Sequence, residues 1–239
     1  MNALLDKVIT AHGGLQRWKS FSKLSAHLSQ GGILWPLKGH GGKLDEVDVS
    51  IELHRQWTSH APFGAPDRRT SVTPQRAIIE TTDGTVVESL SSPRDSFAGF
   101  GLETQWSEPQ LAYFVGYAIW NYLTLPFAFA ETGFEMEELA PWQENGETLR
   151  RLKVRYPDNI ATHGREQTFY FADDGKLRRH DYDVDISGGT PAVHYFHDYG
   201  TFDGIIMPTR HLIYVRDADL GHQPEPLVVS ITVSQIRFS

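Results

Sequence analysis

Apolar positions recur along this chain at two different periods, and the changes of period mark out its elements. Leu4, Leu5, Val8, Ile9 and His12 follow helical spacing, and Gly13-Gly14 supplies a left-handed stop that costs glycine little, which predicts a short amphipathic opening helix. Leu15–Trp18 closes that element, with Trp18 folded back on the core. The period then becomes two. Leu24–Gln30, Val47–Ser59, Arg76–Thr82 and Thr85–Leu90 alternate or carry β-branched residues, and Thr82-Asp83-Gly84-Thr85 reads as a hairpin turn. The Gly/Pro-rich segments Gly31–Gly42, Ala61–Pro66 and Ser91–Gly101 read as loops at the rim of a sheet.

A helix interrupts this meander. Ser107 can cap it, Pro109 fits its first turn and Gln110 can complete a capping box, so the helix starts here and runs to about Leu125, where Pro126 stops it. Strands resume at Phe134–Leu139, Thr148–Tyr156, Glu166–Phe171, Leu177–Ile186, Val193–Tyr199, Pro208–Arg216 and Leu227–Phe238. Their connections, such as Asp173-Asp174-Gly175-Lys176 and Ser187-Gly188-Gly189-Thr190, are too short for parallel crossovers. The expected fold is mainly β, a single curved antiparallel sheet of about eleven strands forming a half-barrel. One domain is expected to span residues 1–239.

The stretch Leu111–Ala130 carries no charge over twenty residues, long enough for a membrane span. Its aromatics are spread throughout instead of forming two belts, Asn121 and Pro126 interrupt it, and neither flank is basic. The expectation is therefore a buried helical plug on the concave face of the sheet and no transmembrane segment. A helix apolar all round must be covered all round, by sheet on one side and by core, ligand or partner on the other.

Charge and composition narrow the partners. A net charge of −8 repels nucleic-acid phosphates. The absence of cysteine removes thiolate chemistry, disulfides and cysteine-rich zinc sites. The start Met1-Asn2-Ala3-Leu4-Leu5-Asp6-Lys7 places two charges where a secretory signal has its apolar run, so a cytoplasmic location is expected.

Eleven histidines raise the question of metal or acid–base chemistry. His194 and His197 lie three apart on a strand and face opposite ways, and no His-Glu-x-x-His helix occurs, so no metal site is expected. In Arg178–Ile186 the even positions His180, Tyr182, Val184 and Ile186 form the apolar face, and the odd ones, including Arg179 and Asp181, are expected to face solvent. His211 falls on the apolar face of its strand. The strand between offers either His194 with Phe196, or Tyr195 with His197. His180, Tyr182, His194 and His211 are thus the candidate catalytic residues, able to converge across neighbouring strands. Tyr113, Phe114, Tyr117 and Trp120 of the helix, with Tyr195 and His197, are the candidate ligand-binding residues. No serine-nucleophile elbow or phosphate loop is present, and no cofactor is expected.

The sequence also resembles a known family. It has an amphipathic first helix ending in His12-Gly13-Gly14, then Trp18, a meander and a mid-chain apolar helix. Asp174-Gly175-Lys176-Leu177 and Tyr199-Gly200-Thr201-Phe202-Asp203-Gly204-Ile205-Ile206-Met207-Pro208-Thr209 follow. Together they resemble the lipoprotein-localisation-factor (LolA/LolB-like) superfamily of bacterial lipoprotein carriers. The resemblance implies an incomplete antiparallel barrel whose open, apolar concave side is covered by helices and encloses an apolar ligand. It carries over no catalytic residue. Those carriers work in the periplasm or on the outer membrane, and this chain shows neither a signal peptide nor a lipid-anchor cysteine, so lipoprotein trafficking is not carried over.

Three functions follow from these readings. The first is a soluble binding protein that holds a hydrophobic or amphipathic small molecule between concave sheet and central helix. The alternative is a cofactor-independent enzyme, an isomerase, cyclase or hydrolase, using the interior His/Tyr/Asp group on an apolar substrate. A protein-interaction domain offering an exposed sheet edge is a third.

Overall fold

The helical spacing at the start of the chain forms α1 (Ala3–Ala11), which buries Leu4, Leu5, Val8 and Ile9, and a short α2 (Leu15–Lys19) follows. In the computed structural model residues 3–239 are described; Met1 and Asn2, which belong to the expected domain and leader readings, lie outside the described residues. The stop at Gly13 is a matter of space as well as φ, because a Cβ there would lie 2.2 Å from the Gly204 carbonyl oxygen. That close approach, with the His12 carbonyl accepting from the Ile206 N–H at 3.0 Å, ties the helix end to a distant turn.

The period-two segments form one antiparallel sheet. In the first half these are β1 (Lys23–Gly31), β2 (Glu46–Glu52), β3 (Trp57–Ala61), β4 (Arg68–Thr73), β5 (Arg76–Thr81) and β6 (Val86–Ser91), with a short α3 (Leu34–Leu37) after β1. In the second half they are β7 (Glu135–Glu144), β8 (Glu147–Arg155), β9 (Glu166–Phe171), β10 (Leu177–Val184), β11 (Thr190–Phe202), β12 (Ile205–Val215) and β13 (Val229–Phe238). The sheet thus has thirteen strands where about eleven are expected from sequence. Val47–Ser59 divides at the turn after Glu52, and Arg68–Thr73 is a strand that the paired arginines disguise, with Thr70 and Val72 facing in.

Strand order is β6-β5-β4-β3-β2-β1-β13-β12-β11-β10-β9-β8-β7. Each half is a plain meander, and the two meet at one seam, β1 against β13, with Leu24 opposite Phe238. The edge strands β6 and β7 do not pair, so the sheet is a half-barrel and not a closed one.

The two halves are joined through α4 (Glu108–Thr124), which fills the concave side. Its start is the capping box expected from sequence: Ser107 N–H donates to Gln110 Oε1 at 2.9 Å, and Gln110 N–H donates to Ser107 Oγ at 3.4 Å. Every residue from Pro109 to Thr124 is buried. Gly116 lets the helix close on the sheet, since a Cβ there would sit 2.7 Å from a Val72 methyl, and its carbonyl accepts from Thr58 Oγ1 at 3.0 Å. The helix is the plug that its all-round apolar surface requires. Among the described residues no helix is long and apolar enough to cross a membrane.

Candidate functional site

Between α4 and the inner sheet one uncharged cleft remains, with a volume of about 60 Å³. One wall is a stripe of α4 at helical spacing, Phe114, Val115, Ala118, Ile119 and Tyr122. The facing wall comes from alternating inward positions on several strands, among them Val184, Ala192, Ile213 and Ile231. Val215, at 43% exposure, marks the mouth, and Trp35 of α3 with Leu102 and Trp106 of the segment before α4 roofs it. No Asp, Glu, Lys or Arg lines it. An engineered apolar cavity of about 150 Å³ accepts benzene. The cleft here is smaller, so an alkyl chain enters only if its walls part.

The roof is held by an unusual cation. Lys38 is fully buried, and its ammonium donates to the carbonyls of Gly101 at 3.2 Å, Thr104 at 3.1 Å and Leu102, with its charge 4.5 Å above the Trp106 ring. Burial pushes its pKa down to about 8.

At the inner end a network of neutral groups closes the cleft. Tyr122 shares hydrogen bonds with His163 Nε2 at 2.8 Å and with the Tyr182 hydroxyl at 2.9 Å, and Tyr117 shares one with His163 Nδ1 at 3.2 Å. Arg94 positions the loop that carries His163, donating to the Thr162 carbonyl at 2.7 Å and to Asp185 at 2.6 Å. Burial, helped by the charge of Arg94, pushes His163 down to about 3, and burial raises Tyr117, Tyr122 and Tyr182 above the ordinary tyrosine range. Burial thus favours the neutral form of every group in the network.

Of the candidate catalytic residues only Tyr182 lines the cleft. His180 packs behind it, its ring stacked on Phe169 at 4.1 Å and its Nε2 bonded to Gln167 Oε1 at 2.6 Å. His194 and His211 share one hydrogen bond at 2.9 Å, and both are buried. Burial lowers all three, His211 to about 3. The three histidines come together across β10, β11 and β12, but as core, away from the open space that Tyr182 borders.

Among the ligand-binding candidates Phe114 lines the cleft. Tyr117 lies in the network behind it. Trp120 borders a larger, polar-walled surface groove of about 400 Å³, and Tyr113 a hollow of about 300 Å³ beside Arg94. His194 and Phe196 are the inward pair of β11, which puts Tyr195 and His197 on the outer face. Tyr195 there donates to Glu144 at 2.8 Å, and His197 is half-buried beside Arg210, burial and that charge lowering its pKa.

The odd face of β10 is not solvent, contrary to the expectation from its charges. Arg179 and Asp181 are buried, paired through both carboxylate oxygens at 2.7 and 2.9 Å. Glu144, Tyr170 and Tyr195, with the Leu220 carbonyl and Arg216 at 3.5 Å from Asp181, complete the shell. The β7–β8 hairpin and the loop after β12 reach across to cover them. Sequence reasoning also missed His163, Tyr122, Gln30, Trp35 and Trp106. Tyr122 falls eight residues after Phe114 on one helix stripe, a readable signal, whereas His163 and the two tryptophans lie in loops or short turns with no period to read.

No protein-family profile matches the chain, and no curated protein matches it by sequence. Its fold, however, has solved counterparts. A DUF1329 family protein from Desulfovibrio piger superposes with a TM-score of 0.52 at 13% identity, over 99% of this chain and 92% of that one. A LolA superfamily protein from Nitrosomonas europaea gives 0.51 at 8% identity, over 94% and 91%. A candidate outer membrane lipoprotein-sorting protein domain from Vibrio parahaemolyticus gives 0.51 at 11%, over 96% and 93%. The chain therefore has a LolA-like fold.

Proposed function

We propose that this protein binds the apolar part of a hydrophobic or amphipathic small molecule in the cleft between α4 and the inner faces of β10 to β13. The observation that carries this reading is the cleft itself, an uncharged slot walled by a helix stripe and alternating sheet positions, opening at the exposed Val215. A filled core has no need of a path to solvent. The roof between Gly101 and Trp106 is the part that moves to admit a ligand, because outside its own internal turn it is tied by hydrogen bonds from one short segment, Lys38 to the carbonyls of Gly101, Leu102 and Thr104, the Trp106 N–H to the Lys38 carbonyl at 3.2 Å, and His40 Nε2 to the Trp106 carbonyl at 2.8 Å.

The test uses the fluorescent probe N-phenyl-1-naphthylamine and two variants, Ala118→Leu and Ala192→Leu, which thicken opposite walls. The wild type should bind one probe per chain with a blue-shifted emission, and each variant should lose that binding while keeping its circular dichroism spectrum. Absence of saturable binding, or binding untouched by both substitutions, refutes the proposal.

A further inference from the structure

Two open hollows lie on the outside of the half-barrel and share no lining residue with the cleft. One, of about 400 Å³, runs past Trp120, and the other, of about 300 Å³, past Tyr113 and Arg94. Pro74, Gln75, Pro157 and Ile160 line both, so the two form one elongated trough. Each is of the size of a small-molecule site, about 300–1,000 Å³.

The trough is built from connections. Of its lining residues only Thr73, at the end of β4, belongs to a strand. The β2–β3 and β4–β5 turns form the wall from the first half of the sheet, and the β8–β9 connection with the segment before β7 forms the wall from the second. Loops held by a rigid scaffold are where binding residues concentrate. The two walls are tied to each other. Gln56 donates to the Ala161 carbonyl at 2.8 Å and accepts from the Ala161 N–H at 2.7 Å, and Asn121 Nδ2 donates to the same carbonyl at 2.8 Å. The shape is therefore set before a ligand arrives, which lowers the cost of binding one.

The charged groups of the trough already have partners. Arg55 pairs with Glu52 at 2.7 and 2.9 Å, Arg94 with Asp185 at 2.6 Å and Arg165 with Asp158, while Glu131 lies 3.9 Å from His54 Nδ1. No lone guanidinium is left to select an anion. What stays free is neutral: among the described residues the side-chain amides of Gln75 and Asn159 have no hydrogen-bond partner, and both residues are exposed. An amide donates and accepts, as a hydroxyl does. Their chain neighbours Pro74 and Ile160, with Pro157 and Phe134, are half-buried and offer apolar surface beside these amides.

We infer that the trough binds an uncharged, hydroxyl-rich chain of the oligosaccharide class. Hydroxyls meet the Gln75 and Asn159 amides, and the C–H faces of the rings pack on Pro74, Pro157, Ile160 and Phe134. A peptide that binds by adding a strand needs an open sheet edge, and the walls here are turns.

Isothermal titration calorimetry with maltotriose, cellotriose and triacetylchitotriose should find one site per chain for at least one of them. Gln75→Ala and Asn159→Ala alter exposed side chains and should keep the circular dichroism spectrum. Each should weaken that binding by about three- to tenfold, the worth of a hydrogen bond. Trigalacturonic acid should bind about tenfold more weakly than the best neutral trisaccharide, because no free cation awaits its carboxylates. A glycine–serine hexapeptide, a neutral extended chain of the other class, should not compete. Three results each overturn the assignment: no saturable binding of any neutral trisaccharide, an affinity untouched by both substitutions, or tighter binding of the hexapeptide or of trigalacturonic acid than of every neutral trisaccharide.

Discussion

Lowering the pH from 7.5 to about 5.5 should unfold this protein, and the buried histidines set the size of the effect. His60, His163, His180, His194 and His211 are all buried, and burial lowers each from its ordinary value of 6.5, His60 to about 4 and His163 and His211 to about 3. A histidine depressed in the folded state takes up its proton first in the unfolded chain. Stability is therefore greatest above the unfolded value and falls as pH drops below it. At about pH 5.5 each such group costs somewhat more than 1 kcal/mol, and the five together about 7 kcal/mol. That is comparable with the whole stability of a typical domain, about 5–15 kcal/mol. His27, raised by Asp48 and Glu46, acts in the opposite sense, but it is a single surface group. Urea unfolding followed by tryptophan fluorescence from pH 7.5 to 5.5 measures the loss directly. His60→Leu provides the control, because neither His60 ring nitrogen has a partner. It should stabilise the protein at pH 7.5 by about 1–3 kcal/mol and, at about pH 5.5, reduce the proton uptake on unfolding by about one. A total loss below about 2 kcal/mol across that range would refute the claim that these rings are neutral and buried.

Other substitutions test other parts of the structure. Gly116→Ala should destabilise by about 1 kcal/mol, since overpacking against Val72 outweighs the helix propensity gained; Val72→Ala in the same chain should recover most of it, read from urea midpoints. Asp181→Ala should cost about 2–3 kcal/mol, because it removes the two-oxygen partner of the buried Arg179 and leaves Glu144 and the Leu220 carbonyl, whereas Arg179→Met with Asp181→Leu should cost less, which thermal unfolding separates. Lys38→Met frees the carbonyls of Gly101, Leu102 and Thr104, so amide exchange across residues 98–106 should quicken and probe association should speed up; unchanged exchange removes Lys38 as the anchor of the roof.

Much of the fold was legible because local rules and tertiary packing agreed. The Ser107 capping box, the Pro126 stop and the inward set His180, Tyr182 and Ile186 all read correctly from spacing. Parity failed where a strand is covered on both faces. Arg179 and Asp181 look like solvent residues, and only the distant Glu144 and the loop carrying Leu220 make their burial affordable. The site was less legible than the fold. Histidine-rich strands advertise chemistry, yet the His180, His194 and His211 rings lie in the core, with a single hydrogen bond between His194 and His211 and another from His180 to Gln167. The cleft takes its character from Trp35 and Trp106, which sit outside any long element.

The pairing of β1 with β13 has a further consequence for how the molecule comes into being. Of the thirteen strands of the sheet β13 is made after the other twelve, yet it occupies the middle of the sheet beside the first. Until it emerges, the chain holds two separate meanders, each with an unpaired inner edge at β1 or β12. Joining the halves therefore needs contacts between residues far apart in sequence, which makes the ten-residue β13, paired with β1 on one side and β12 on the other, the slow closing element of the sheet.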